Sequence, residues 1–182
     1  MRLFVAIDIP AEIKDALRSF VARLRPAAQI GWSPVDNLHI TTKFIGEWPE
    51  LRLDELKRAL TLVPVKSAID ITVKGLGWFP NPRRPRVFWA GIEGGEPLRA
   101  LARATELAVA DFGVPIEERA YSPHLTLARI REAVPLEHLH KTIESFPAGC
   151  GFDFGSFSAT RFFLYLSAGG QYTQLAGFPL DR

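Results

Sequence analysis

Tyr121-Ser122-Pro123-His124-Leu125-Thr126-Leu127-Ala128-Arg129 decides the fold, because the chain holds a counterpart, Asn37-Leu38-His39-Ile40-Thr41-Thr42-Lys43-Phe44-Ile45-Gly46. Each half carries one His-x-Thr inside an apolar, β-branched run flanked by Pro, Asn or Gly, which is the composition of a strand. A strand sends residues i and i+2 to one face. His39 therefore shares a face with Thr41, and His124 with Thr126, while Ile40 and Leu125 point toward a core. Brought together across a cleft, two such strands would set imidazoles and hydroxyls around one phosphate. In the competing reading both histidines are buried on backbone carbonyls and the threonines are ordinary strand formers. The matching surroundings favour the first.

Outward from these motifs, Met1 to Asp8 reads as a buried first strand and Pro10 as a helix start. Ile13, Leu17, Phe20 and Leu24 follow at helical spacing, ending near Pro26. Ile30 to Ser33 predicts a short strand, Leu51 to Val63 a helix, and Ala68 to Gly75 a strand with one solvated face. Gly77 to Arg86 holds three prolines, two aromatics and three arginines, so it is expected to be irregular. Val87 to Ile92 predicts a strand, Glu96 to Phe112 a long amphipathic helix stopped by Gly113, and Leu136 to Phe146 a further helix. Phe152 to Phe157, Ala159 to Ser167 and Gln171 to Phe178 read as strands. Hairpins mixed with crossover helices imply an α+β fold with mainly antiparallel sheets.

The 182 residues suffice for one core or two small lobes sharing one. With 47% apolar and 23% charged residues, disordered and fibrous classes drop out. The formal charge of +2 permits a nucleic-acid partner without requiring one. Cys150, the single cysteine, can form no disulfide within the chain and no thiolate zinc cluster, which fits a reducing cytoplasm. The opening run lacks the length of a signal peptide, and no membrane association is expected.

The two motifs resemble the paired signatures of the 2H phosphoesterases, in particular the RNA 2′,3′-cyclic phosphodiesterases also called 2′-5′ RNA ligases (LigT-like). Met1 to Pro10 and Arg84-Pro85-Arg86-Val87-Phe88-Trp89-Ala90-Gly91 resemble that family's opening and middle strands, so the similarity covers nearly the whole chain. It implies a bilobal fold with a pseudo-two-fold axis, residues 1–182 forming one domain of two intertwined lobes with one motif each (39–42 and 124–127) around a central groove. It also implies action on RNA ends carrying a 2′,3′-cyclic phosphate, without metal or cofactor, and in some relatives the joining of tRNA halves without ATP. A monomer is expected. On the resemblance His39 is the proton donor, His124 the proton acceptor, and Thr41 and Thr126 bind the phosphate oxygens. Residue types alone leave the two histidine roles interchangeable.

Arg129 and Phe44 each lie five residues past their histidine, where the family's counterparts contact the nucleoside. An odd offset places them on the opposite strand face unless the strand twists, bulges or ends, and Phe44 could instead pack in the core. Tyr121 could line the groove or be a buried tyrosine bonded to backbone. The Arg83, Arg84 and Arg86 segment could guide an RNA backbone or be a solvated loop. His138 and His140, two apart on a helix, form no metal pair. Cleavage of small cyclic nucleotides or 2′-5′ oligoadenylates, and a binding module without turnover, are the competing functions.

Overall fold

The computed structural model describes residues 1–65 and 67–180. The opening run forms β1 (Arg2–Asp8), with Leu3, Val5 and Ile7 buried on one face. It feeds α1 (Ala11–Leu24), whose Ile13, Leu17, Phe20, Val21 and Leu24 make the inward stripe. A short β2 (Gly31–Trp32) precedes the first motif strand, β3 (His39–Glu47). The next helix, α2 (Leu53–Thr61), is shorter than its apolar pattern because Glu50–Arg52 forms a 3-10 turn.

β4 (Ile69–Phe79) is longer than the sequence pattern suggests. Gly77, Trp78 and Phe79 are not irregular but pair with Trp89, Phe88 and Val87 of β5 (Val87–Glu93). The prolines exclude regular structure only from Pro80 onward. Gly77 permits the pairing, since a Cβ there would lie 2.0 Å from the Trp89 ring. α3 (Gly95–Ala110), the second motif strand β6 (His124–Arg129) and α4 (Glu137–Glu144) follow. The chain closes with β7 (Asp153–Ala159), β8 (Arg161–Ala168) and β9 (Gln171–Pro179).

The strands form two antiparallel sheets, ordered β3-β1-β8-β9 and β2-β6-β5-β4-β7. The halves of the chain interleave. β2 from the N-terminal half edges the five-stranded sheet, and β8 and β9 complete the four-stranded one. Helices cross over likewise: α1 packs on β7 although it follows β1, and α3 packs on β3 although it follows β5.

A two-fold repeat appears in the registers. Asp8, Ala6, Val5 and Phe4 face His39, Thr41, Lys43 and Phe44, while Gly91, Trp89, Phe88 and Val87 face His124, Thr126, Ala128 and Arg129. At the same place each motif strand carries an extra residue, Thr42 or Leu127, where the partner strand advances only one step; β3 has a second one, Ile45, closer to its end. That is a β-bulge, a feature common beside active sites. The pairs of strands are thus superimposable in register even where their sequences share nothing.

The bulge at Thr42 also turns Lys43 inward, leaving it 3% exposed. Its ammonium donates to Glu106 Oε1 at 2.9 Å on α3 and to the Pro115 carbonyl at 2.7 Å, with Glu117 at 3.7 Å. Breaking a buried pair from one side leaves an uncompensated charge. Glu106→Gln is expected to cost on the order of 3 kcal/mol in chemical denaturation; a variant within 0.5 kcal/mol of wild type, roughly the surface-substitution range, would show that Lys43 does not need that carboxylate.

Candidate active site

The two histidines are held in the same way. His39 Nδ1 lies 2.7 Å from the Asn37 carbonyl oxygen, and His124 Nδ1 lies 2.8 Å from that of Ser122, each two residues upstream. A carbonyl can only accept, so Nδ1 carries the proton and donates it. In the neutral rings Nε2 is left with a free lone pair, and it is the atom available for chemistry. Burial pushes the pKa of both imidazoles below the ordinary histidine range. For His39 the Asn37 carbonyl and the Asp8 carboxylate oppose that effect, and Lys14 and Arg129 add to it. For His124 the Ser122 carbonyl opposes it and Arg129 adds to it. Arg129 on β6 thus acts on both rings, and the two motif strands touch one another although they belong to different sheets.

Aromatic rings fix the imidazole planes. Phe4 stacks on His39 with centroids 4.6 Å apart, and Tyr172 meets it edge-on at 5.1 Å. Phe79 meets His124 edge-on at 5.0 Å and packs on Trp89. Thr41 and Thr126 are half-buried on the same strand faces as the histidines, and Ile40 and Leu125 are fully buried on the other, as the strand parity requires.

Beyond the threonines simple alternation fails. Thr42 and Lys43 both face inward, as do Leu127 and Ala128. The bulge resets the parity, so Phe44 and Arg129 return to the histidine face. Phe44 is 57% exposed and its ring lies 6.2 Å from Phe4, so core packing does not describe it. Arg129 is exposed, beside an open cavity of about 430 Å³ lined in part by Gln29, Gly31, Ser33 and Arg131.

Tyr121 is half-buried and its hydroxyl donates to the Thr41 carbonyl at 2.9 Å. Burial pushes its pKa upward. The phenol is committed to backbone and ties the run entering β6 to β3. The loop after Phe79 presents Arg83, Arg84 and Arg86 to solvent, with Arg86 donating to the Arg131 carbonyl at 2.8 Å. Phe79 and Trp78 point to opposite faces, and Trp78 stacks on Phe88 and packs against His140, away from His39 and His124. Among the described residues no group of three or more His, Cys, Asp or Glu could hold a metal ion, and no helix is long and apolar enough to cross a membrane.

The family profile described as LigT like Phosphoesterase matches residues 7–89. The RNA 2′,3′-cyclic phosphodiesterase of Methanocaldococcus jannaschii is 36% identical over 168 residues, covering 92% of this chain and 91% of its own. The chain belongs to the LigT-like phosphoesterase family. The Thermus thermophilus protein of the same name as the M. jannaschii relative is 35% identical over 144 residues, covering 74% of this chain and 71% of its own. Among solved structures, E. coli LigT complexed with 3′-AMP superposes with a TM-score of 0.78 at 30% identity, covering 100% of this chain and 98% of that one.

For a LigT-like phosphoesterase, sequence reasoning missed three groups beside the histidines, Phe4, Asp8 and Tyr172, and set Phe79 with the loop arginines as a guide for RNA rather than against His124. Phe4 and Asp8 come from β1, Phe79 from the end of β4 and Tyr172 from β9, so no local spacing connects them to a motif. Titration of the two imidazoles by nitrogen NMR is expected to give midpoints below the ordinary value of about 6.5, with Nδ1 protonated in both neutral rings. A midpoint above that value for either would contradict the burial described here.

Proposed function

We propose that this phosphoesterase is an RNA 2′,3′-cyclic phosphodiesterase, with His39 as proton donor, His124 as proton acceptor, and Thr41 and Thr126 as donors to the phosphate oxygens. The observation that carries the reading is the pair of imidazoles clamped identically through Nδ1, on strands tied together by the Tyr121 hydroxyl donating to the Thr41 carbonyl. The names of the relatives and the nucleotide bound in the E. coli structure support the substrate class.

In the reaction, His124 Nε2 takes a proton from water as its oxygen attacks phosphorus. The bond from phosphorus to the ribose 3′ oxygen breaks, and His39 Nε2–H protonates that oxygen, leaving a 2′-phosphate. His39 ends neutral and His124 protonated, and exchange with solvent restores the pair. Half-buried rings whose pKa is pushed down suit the base directly. The imidazolium needed on His39 is favoured once a phosphate anion lies within about 4–6 Å. Hydroxyls on Thr41 and Thr126 would meet charge building on the non-bridging oxygens. No metal takes part in this scheme. With an RNA 5′-hydroxyl in place of water, the 3′ oxygen leaves and a 2′-5′ linkage forms without ATP, the basis for joining tRNA halves; in reverse the 3′-hydroxyl attacks that linkage and expels the 5′ oxygen.

Phe44 offers an exposed ring and Arg129 a planar cation on the histidine face, both suited to stacking on a nucleobase. Tyr121 would serve indirectly, by holding the two motif strands together. The exposed Arg83, Arg84 and Arg86 favour a polynucleotide over a small cyclic nucleotide or a 2′-5′ oligoadenylate, since they follow Phe79, whose ring meets His124. The unit acting is residues 1–182 as a monomer.

His39→Ala and His124→Ala are each expected to lower kcat by about 10²- to 10⁴-fold on an RNA ending in a 2′,3′-cyclic phosphate, in the presence of a chelator and with the fold retained. Near-wild-type turnover in either variant removes that histidine from the chemistry; a strict requirement for added metal, or a 3′-phosphate product, defeats the scheme. If the three loop arginines contact phosphates, binding of single-stranded RNA should weaken with salt at a slope reduced by about 2 in the triple Arg→Ala variant. An unchanged slope would return that loop to mere solvent exposure.

A further inference from the structure

The two halves of the site match in strand register, in bulge position and in the clamp on each imidazole, but not in what faces each histidine across the sheet. Asp8 of β1 is the cross-strand partner of His39, and Gly91 of β5 is the partner of His124. Directly opposed residues on antiparallel strands share a face, with Cβ atoms about 4.5–5.5 Å apart. One histidine therefore has a carboxylate beside it and the other has a hydrogen atom.

The difference is fixed by packing on both sides. At position 91 a Cβ would lie 2.3 Å from the Lys74 carbonyl oxygen, a rigid backbone atom, so no acid can occupy that place without moving β4. At position 8 the carboxylate is anchored from the next strand by a short hydrogen bond donated by the Tyr165 hydroxyl. Tyr165 in turn stacks on Phe4 at 5.3 Å, the ring that stacks on His39. Burial and the donated bond push the phenol pKa well above its ordinary value, so it remains a donor to Asp8 throughout the working pH range.

Resting on the functional reading above, we infer that Asp8, held by Tyr165, is the positioning residue that breaks the two-fold symmetry of the site and commits His39 to the proton-donor role. An acid and a base drawn from two identical side chains need unlike surroundings, and here the unlike element is one carboxylate. It stabilises the imidazolium of His39 and leaves His124, farther away and facing Gly91, to be the better base. The charged and titratable groups facing His39 are Asp8 from β1, Lys14 from α1, Arg129 from β6, and Tyr165 and Tyr172 from β8 and β9. Asp8 is the single anion among them. Arg129 acts on both histidines with the same sign, whereas the Asp8 carboxylate acts on His39.

The test is imidazole titration by nitrogen NMR in the full chain, which needs no turnover. Asp8→Asn is expected to lower the His39 midpoint by about one pH unit and to leave that of His124 in place. Tyr165→Phe removes the donor that offsets the carboxylate charge, so the His39 midpoint is expected to move upward instead. In the pH profile of kcat/KM, the alkaline limb reports the acid that must stay protonated. In Asp8→Asn this limb should shift to lower pH, costing about tenfold on that limb, while the acid limb stays. Asp8→Glu should restore part of the shift. Equal movement of both histidines, movement of His124 alone, or no movement in either variant overturns the inference. Should Asp8→Asn fail to fold, Tyr165→Phe decides by itself through the direction of the His39 shift. Normal titration shifts in a protein that does not open cyclic phosphates would refute the function and leave the electrostatic asymmetry standing.

Discussion

One extra residue at the same place in each motif strand is the constraint on which the site depends. In a regular strand, side chains at +2 and +5 from a histidine cannot share its face. The bulge at Thr42 and the matching one at Leu127 insert a half-period, so that a threonine at +2 and a substrate-facing side chain at +5 both reach the histidine side. Without the extra residue, Phe44 and Arg129 would be driven into the core and Lys43 would be driven out. The hydrophobic pattern would then fail as well as the site, because register and burial are set together.

The two bulges are satisfied by different means. In β3 the hydroxyl of the extra residue, Thr42, donates to the Val5 carbonyl at 3.3 Å, and the inward Lys43 finds Glu106 and the Pro115 carbonyl. In β6 the equivalent inward residues are Leu127 and Ala128, which need no polar partner. There the short β2 does the stabilising, with the Ser33 N–H donating to the Leu127 carbonyl at 2.9 Å and Gly31 and Trp32 pairing with Arg129 and Ala128. A buried carbonyl without a donor costs about 1–3 kcal/mol. Each bulge thus had to be closed locally, and the two halves closed it with unrelated residues.

That divergence explains how much could be read from the sequence. The His-x-Thr pairs, the inward Ile40 and Leu125, the helices and the antiparallel α+β class were legible, since each rests on local periodicity. The bulges were not, because Thr42-Lys43 and Leu127-Ala128 share no residue type, and a bulge is defined by the partner strand's register. For the same reason the equivalence of Phe4–Asp8 with Val87–Gly91 escaped notice. β4 ran past its apparent end at Gly75 because Gly77 reads as a breaker in sequence, whereas across the sheet it makes room for the Trp89 ring. Phe44 read equally well as core or site, since a strand-borne phenylalanine reveals its side only through the register.

A scaffold that repeats its register but not its residues can place two identical catalytic groups symmetrically and still make them unequal. The backbone clamps on Nδ1 are alike, so they orient both rings without ranking them. Ranking has to come from side chains, and burial alone cannot supply it, because it lowers both pKa values. Position 8 tolerates a carboxylate because β8 offers Tyr165 to hold it, and position 91 excludes any side chain because β4 comes too close. The flanking strand on each side therefore decides which histidine has the anion. On this view the two sheets differ where the chemistry requires direction, and agree where it requires only alignment.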